Sequence, residues 1–463
     1  MSARNTKNPN SCAPAKRKIT RRDVLAAAST AAAFTIVPAH VLGGPRHQPP
    51  SEKLNIAGIG VGGMGGVNLA NMDSQNIVAI CDVDPGYAEK TIAKHPNARV
   101  WTDFREMLEK QKDIDAVLIA TPDHSHAVIA LAALQAGKHV YCQKPLTHDI
   151  FEARTLAKAS SSFPKLTTQM GIQGHSGDGT KLIREWIESG ALGEVREVDA
   201  WCVDSYYPWG HAGWSPKSPE RPTETPPLPG KLNWDLWVGP APMRPYHPSY
   251  HPVCWRAWWD FGSSWMADRG AHTFDPIVWA LDLGAPTAVE ATTLGQTSEA
   301  HCIAGVVTFY FAARGALPPV KLTWYEGMRA PRPPELEAGR KQGDDEGGAL
   351  FRGTKGTLMC GTYGNSPRLI PEARMQEFKR PAPTLERVPD SHELDWVRAC
   401  KAGKPAGAPF AYGALVTEIC HLGNIAKRVD GRIDWDAEKG EITNRPDANR
   451  YVRREYREGW RLG

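Results

Sequence analysis

Residues 55–82 constrain this chain more than any other stretch. Asn55-Ile56-Ala57-Gly58-Ile59-Gly60 reads as a buried strand running into a glycine turn, Gly60-Val61-Gly62-Gly63-Met64-Gly65, of the form G-x-G-x-x-G. Residues 67–72 can open a helix, and residues 77–81 form a second apolar strand ending in Asp82. Gly60 permits the tight turn, Gly62 lets the backbone approach a pyrophosphate, and Gly65 lets helix and strand pack closely. Gly63 and Met64 complete the turn, and the free N–H groups at the helix start suit the phosphates. Gly58-x-Gly60-x-x-Gly63 offers an overlapping second register. Asp82, about 20 residues on, can accept hydrogen bonds from the adenosine ribose hydroxyls. Its charge would repel a 2′-phosphate. The pattern is a dinucleotide site that favours NAD over NADP.

At 463 residues the chain is too long for one ordinary core and points to two domains. Its net charge of +4, with no Lys/Arg block through the body, gives no sign of a nucleic-acid partner. Residues 1–45 differ from the rest. Lys16-Arg17-Lys18-Ile19-Thr20-Arg21-Arg22-Asp23-Val24-Leu25 precedes a mild Ala-rich run at 26–37. Thr-Arg-Arg-x-Val-Leu resembles a twin-arginine export signal. The apolar run is too short and too weakly hydrophobic for a membrane span. The chain is expected in the periplasm or outside the cell, where free NAD is scarce. An enzyme there should hold its cofactor tightly and regenerate it within its own cycle. Nine cysteines occur without C-x-x-C or zinc spacing, so no metal is expected. Cys81, Cys142, Cys302 and Cys420 sit in apolar segments as core residues.

Strands and helices alternate from residue 54 to about 171, the rhythm of a doubly wound parallel sheet. Beyond Gly171 the pattern changes. A helix is expected at 181–189 and a strand at 195–203, followed by a Pro-, Trp- and Tyr-rich ordered loop at 205–252. A helix at 264–281 and strands at 288–294, 305–311, 320–324 and 357–360 suggest an open, mostly antiparallel sheet. Residues 330–348 read as an exposed Pro/Gly/charged loop, and 392–402 and 412–429 as closing helices. The fold class is α/β: a dinucleotide-binding domain at 52–171 and an α+β domain at 172–463.

Three further pieces belong with the glycine turn. Thr121-Pro122-Asp123-His124-Ser125-His126 follows the fourth strand, and Gly137-Lys138-His139-Val140-Tyr141-Cys142-Gln143-Lys144-Pro145 contains the fifth. Both place residues at carboxyl ends of parallel strands, where open α/β sheets bind ligands. Asp268 and His272, in Asp268-Arg269-Gly270-Ala271-His272-Thr273-Phe274-Asp275, are four apart, so a helix sets them on one face. His247 and His251 have the spacing of a metal pair, but Pro245, Pro248 and Pro252 oppose a helix there and favour loop packing.

With these motifs in this order, the chain resembles the glucose–fructose oxidoreductase, inositol dehydrogenase and rhizopine catabolism (Gfo/Idh/MocA) family from residue 52 onward. The Trp-rich middle and Trp258-Trp259-Asp260-Phe261-Gly262 resemble its exported members. The resemblance implies a Rossmann domain capped by an open-sheet domain, often assembled as homodimers or homotetramers through that sheet. Lys144 matches the lysine between nicotinamide and substrate, and Asp268 and His272 match the aspartate and catalytic histidine. His272 would take the proton from a sugar or polyol hydroxyl, and Asp268 would orient it. Thr121, Pro122 and His126 would lie near the nicotinamide, with His124 at the surface. Asp275 would support His272 or touch substrate. Gln143 stands where the family usually has Glu, which removes a charge beside Lys144 and puts the substrate class in question.

Ten of the 16 tryptophans fall between Trp201 and Trp279. Flat aromatic faces suit the C–H faces of sugar rings, and Trp209, Trp214 and Trp255 are candidates to line a carbohydrate cleft. The leading expectation is an exported NAD-dependent oxidoreductase acting on a sugar or cyclitol hydroxyl. The alternative is redox-neutral cleavage of a glycosidic bond through transient sugar oxidation. A sugar-binding relative with a dead site is the third reading.

Overall fold

The apolar runs of the first half form βαβ units. The computed structural model describes residues 52–207, 213–216 and 218–462. In it, β1 (Asn55–Ile59), β2 (Asn76–Cys81), β3 (Arg99–Trp101), β4 (Ala116–Ile119), β5 (His139–Gln143) and β6 (Thr168–Gly171) make a parallel sheet. Its order is β3-β2-β1-β4-β5-β6. Between the strands run α1 (Met64–Asn71), α2 (Glu89–Lys94), α3 (Phe104–Lys110), α4 (Asp123–Gln135) and α5 (Ile150–Ser162). β4 is buried at every residue, as befits a strand covered on both faces. Asp103 and Asp149 cap α3 and α5 by accepting from the Arg105 and Glu152 backbone N–H groups. The strand order reverses between β1 and β4. The chain leaves those strands in opposite directions and opens a crevice at their carboxyl ends.

After β6 the period changes. α6 (Asp178–Glu188) leads into β7 (Val195–Cys202), and α7 (Trp234–Val238) interrupts the long aromatic loop. α8 (Ser264–Asp268) and α9 (Gly270–Ala280) follow. Then come β8 (Ala288–Leu294), β9 (Ala304–Phe311), β10 (Val320–Glu326), β11 (Gly347–Gly353), β12 (Gly356–Cys360) and β13 (Arg368–Ile370). With β14 (Arg432–Asp436) and β15 (Glu441–Ile442) they form a nine-stranded sheet, β13-β12-β11-β7-β10-β9-β8-β14-β15. β7 and β10 pair in parallel, and the neighbouring pairs are antiparallel. β9 alternates half-buried and buried residues, the mark of a sheet with one face on the core. The expected architecture, a Rossmann sheet plus a mostly antiparallel one, is the one observed.

Details depart from the sequence expectation. The segment at 330–348 is not simply an exposed loop: Ala330 and Leu336 are buried with Trp201, Leu350 and Met359, and Gly347 and Gly348 open β11. The helix expected over 264–281 breaks at Arg269. A continuous helix would give the Asp268 carbonyl to the His272 N–H. That carbonyl instead accepts from Lys144 Nζ at 2.9 Å, and His272 N donates to Arg269 O at 3.1 Å.

The closing helices, α10 (His392–Ala402) and α11 (Phe410–Val429), return to the first sheet. Trp396, Val397 and Cys400 share a core with Ile56, Leu118 and Tyr141. Arg154 on α5 makes a two-pronged pair with Glu418 on α11 at 2.7 and 2.8 Å. Residues 54–463 therefore form one compact unit. The boundary near residue 171 marks a change of rhythm in the sequence. The twin-arginine stretch and Trp209 lie outside the described residues. The eight described cysteines are free thiols, and Cys81, Cys142, Cys302 and Cys420 are buried.

Candidate active site

A cavity of about 300 Å³ opens at the switch point, with Gly60, Gly62, Gly63, Met64 and Asp82 at one end. Gly60 has φ +76°, and a Cβ there would meet the Thr121 backbone N at 2.8 Å. Only glycine lets the turn after β1 rest on the turn after β4. A Cβ on Gly65 would come within 2.2 Å of the Gly60 carbonyl oxygen, so α1 packs directly on the turn. α1 has no side-chain cap and no acid in its first turn, which leaves its N–H groups for an anion. Asp82 is buried; it accepts from Val61 N at 2.7 Å and Asp84 N at 2.9 Å. A carboxylate has about four acceptor sites, so both oxygens can still take ribose hydroxyls. Burial pushes the Asp82 carboxyl up to about 6, against the opposing pull of those N–H groups. Thr121 Oγ1, in the same cavity, is buried without a partner. An uncapped helix start, a glycine cradle, an acceptor at the tip of β2 and an unsatisfied hydroxyl fit NAD.

At the other end, Lys144 follows β5 and reaches Asp268. Its Nζ donates to Asp268 Oδ1 and to the Asp268 carbonyl. An ammonium has three N–H groups, so one stays free for a substrate oxygen. Arg256 Nε lies 3.3 Å from Asp268 Oδ2. Burial pushes the Asp268 carboxyl up, but the Lys144 and Arg256 cations outweigh it and hold the acid ionised. His272 is buried, its ring 4.6 Å from that of Tyr363, and its Nδ1 has no hydrogen-bond partner. Burial and the Lys144 charge hold the imidazole well below its usual range, so it is a neutral base. The expected contact in which Asp268 orients His272 is not formed. Their helix breaks between them, and Asp268 is committed to Lys144.

His126, Thr121 and Pro122 also line the cavity. The His126 ring nitrogens lie 2.8 Å from the Pro145 carbonyl and 2.8 Å from the Thr121 carbonyl, and a neutral ring can donate to one of them. His126 thus lies between the turns after β4 and β5. His124, expected at the surface, is fully buried, its ring between the Phe261 and Trp237 carbonyls. Gln143 turns toward α1: its amide donates to Asn68 at 2.9 Å, and Asn68 donates to Glu393 at 2.6 Å. Asp275 stands apart from the cavity, fully buried and held by His175 and Tyr412 at 2.7 Å each. Trp214 and Trp255 do line the cavity, with the Arg256 guanidinium 4.3 Å from each ring. His251 pairs with Asp84 at 2.7 Å, and no metal cluster occurs among the described residues.

Sequence reasoning passed over several lining residues. Asp123 stands inside the quoted Thr-Pro motif, and its position at the first turn of α4 was the available signal. It is buried; burial and the Asp268 charge push its carboxyl up to about 7. Arg256 was legible only as the neighbour of Trp255. Tyr363 comes from a distant segment and no spacing announces it; Arg269, to which it is joined at 3.1 Å, stands inside the quoted Asp268–Asp275 motif.

Comparison with known proteins bears on the fold and the cofactor. Residues 54–167 match a family model described as an oxidoreductase family, NAD-binding Rossmann fold, and residues 177–316 match the C-terminal alpha/beta domain of an oxidoreductase family. The inositol 2-dehydrogenase of Salmonella typhimurium (strain LT2) is 30% identical over 145 residues, 31% of this chain and 43% of that protein. That of Rhodococcus erythropolis (strain PR4) is 32% identical over 147 residues, 31% of this chain and 42% of that protein. The chain thus spans less than half the length of these curated relatives. The WlbA dehydrogenase from Bordetella pertussis, solved with NADH and UDP-GlcNAcA, superposes with a TM-score of 0.58 at 18% identity, covering 83% of this chain and 99% of that one. A levoglucosan dehydrogenase solved with NADH and levoglucosan gives 0.55 at 18% identity, over 82% and 99%. These two likenesses establish the fold.

Proposed function

The chain belongs to the Gfo/Idh/MocA oxidoreductase family, and from that premise we propose that it is an exported NAD-dependent oxidoreductase acting on a sugar or cyclitol CH–OH group. One observation carries the reading. A lysine pinned to Asp268 and a neutral His272 whose Nδ1 has no partner share a cavity with the glycine turn and Asp82. Bound NAD supplies the hydride acceptor. Gly60, Gly62, Asp82 and Thr121 would hold it. His272 takes the hydroxyl proton, for which a neutral imidazole is suited. The free N–H of Lys144 donates to the same oxygen and stabilises its developing negative charge. Asp268 fixes the lysine. Trp214 and Trp255 offer flat faces to a ring. The inositol and levoglucosan dehydrogenases among the similar proteins support a polyhydroxylated substrate.

Export rests on Thr20-Arg21-Arg22-Asp23-Val24-Leu25. Among the described residues no helix is long and apolar enough to cross a membrane. Assembly as a homodimer or homotetramer through the outer face of the nine-stranded sheet belongs to the same proposal.

The redox-neutral alternative has one observation in its favour. Asp123, in the same cavity and with a carboxyl near neutrality, is a second proton-holding group that bond cleavage needs. The test is the ultraviolet spectrum of purified protein, repeated with sugars, glycosides and polyols. Absorbance rising at about 340 nm reports hydride transfer to nicotinamide. A carbonyl product supports the oxidoreductase, and a cleaved glycoside without net reduction supports the alternative. Protein that neither retains nor binds nucleotide would sink both.

A further inference from the structure

A second cavity, of about 90 Å³, lies beneath the segment after Trp258 and shares no lining residue with the site above. Three arginines line it, Arg428, Arg450 and Arg454, with one acid, Asp149; Arg454 is ion-paired with Glu152 at 2.5 Å and with Asp149 at 3.9 Å, which leaves the Arg428 and Arg450 charges unpaired by carboxylates among the described residues. Asp149 spends its carboxylate on backbone N–H groups, those of Glu152 at 2.7 Å and Arg454 at 3.1 Å. Arg428 stacks over the Trp259 and Tyr451 rings, at 4.5 and 4.3 Å, and no carboxylate forms an ion pair with it among the described residues. The space has room for several waters or one small oxyanion, and none for a sugar.

Unsatisfied polar atoms converge here. Arg454 Nη1, His301 Nδ1 and both ring nitrogens of His148 are buried without partners, whereas Ser263 turns its hydroxyl to Asp123. Buried polar groups are almost always satisfied, so a cluster of four around one cavity points to an occupant. The tautomers narrow its chemistry. His301 Nε2 donates to the Gly262 carbonyl at 3.1 Å, and His421 Nε2 donates to the Thr147 carbonyl at 2.9 Å. Each of these neutral rings therefore turns a lone pair, at Nδ1, away from its carbonyl. The occupant must accept from guanidinium groups and also donate an O–H to an imidazole.

We propose that this cavity binds one hydrogen-bearing tetrahedral oxyanion, inorganic phosphate or the terminal group of a small phosphate ester. Hydrogen phosphate both accepts and donates, whereas sulfate at neutral pH only accepts. The anion would tie the segment at 449–454 to the loop at 259–263. That loop backs the active site, because a Cβ at Gly262 would meet the Arg256 backbone at 2.6 Å.

The test is calorimetric titration of the full chain, saturated with NAD so that the glycine turn is filled, with inorganic phosphate and then sulfate. One saturable phosphate site is expected, with sulfate about tenfold weaker or more. Arg428→Gln, and separately the exposed Arg450→Gln, should weaken phosphate by a similar factor while leaving NAD binding unchanged. Crystals grown in arsenate should show an anomalous peak between Arg428 and His301. If a small phosphate ester titrates and inorganic phosphate does not, the ester is the source. No saturable binding of either, sulfate binding as tightly as phosphate, or binding indifferent to both substitutions would overturn the proposal and leave a water-filled cavity.

Discussion

Lys144 takes the backbone carbonyl of Asp268 that an unbroken helix would have given to His272. One contact thereby ends α8, starts α9, and sets amine, carboxylate and imidazole around a common space. It also explains why Asp268 faces the lysine although its spacing from His272 suggested a helical pair.

Lys144→Ala should remove the donor to the reacting oxygen and release the Asp268 carbonyl. Turnover is expected to fall by about a hundredfold or more, with NAD affinity little changed. Steady-state rates and a fluorescence titration of NAD check the two halves separately. Unchanged turnover would refute the assignment of the lysine.

His272→Gln keeps the volume and hydrogen bonding of the ring but cannot carry a proton, so turnover should drop by about a hundredfold or more. Because burial and Lys144 hold the imidazole well below its usual range, the wild-type enzyme should keep kcat/KM on the alkaline side and lose it only well below about pH 6.5. That acid limb should vanish in the variant. A limb that persists assigns the proton to another group.

Asp82→Ala should weaken NAD by about tenfold or more, the worth of charged hydrogen bonds to the ribose, and reduce discrimination against NADP. With the Asp82 carboxyl raised to about 6, the wild-type affinity for NAD should fall as pH drops through that value. Dissociation constants for both cofactors across pH 5 to 8 decide this, those limits bracketing roughly the raised value.

Gln143→Glu restores the residue that is usual in the family, yet it should destabilise this chain. Asn68 receives the Gln143 amide on its oxygen and gives its own N–H to Glu393, so a carboxylate at 143 would face that oxygen. A loss of about 1–3 kcal/mol is expected, read as a lower Tm. In Gln143→Glu/Glu393→Gln the amide can reverse, and stability should return.

Acid should unfold the protein through its buried histidines. His124 is held down to about 3 and His421 to about 4, in both cases by burial first. Below about pH 6.5 the unfolded chain binds protons that these folded rings refuse, so stability falls from there toward pH 4. Asp123, raised to about 7, opposes this: its contribution is present at low pH and is lost as pH rises from about 4 to 7. Tm measured across that window should fall with acid in the wild type, and Asp123→Asn should make the fall steeper.

The first sheet was legible because its signals are local: an apolar strand, a glycine turn and an acid recur within about 30 residues. The same holds for Lys144, at a strand end, and for His126, in the first turn of the helix after β4. The second sheet was harder. β11 begins in Gly347-Gly348, where neither alternation nor β-branched residues mark a strand. Asp275 looked like part of the site because it lies one turn beyond His272, but the turn carries it to His175 and Tyr412 instead. His124 looked exposed beside the Thr-Pro turn, yet α7 and the loop at 258–262 close over it, contacts remote in sequence. Asp268 was placed by Lys144 from 124 positions away, and no periodicity encodes that.

Since α11 is anchored to α5 through Glu418 and also packs beneath β8 and β9, the floor and roof of the crevice are cast in one piece. Opening the crevice by swinging whole lobes apart would break that anchor. Cutting the chain ahead of residue 410 would cost the nucleotide half its footing as surely as the half built on the second sheet.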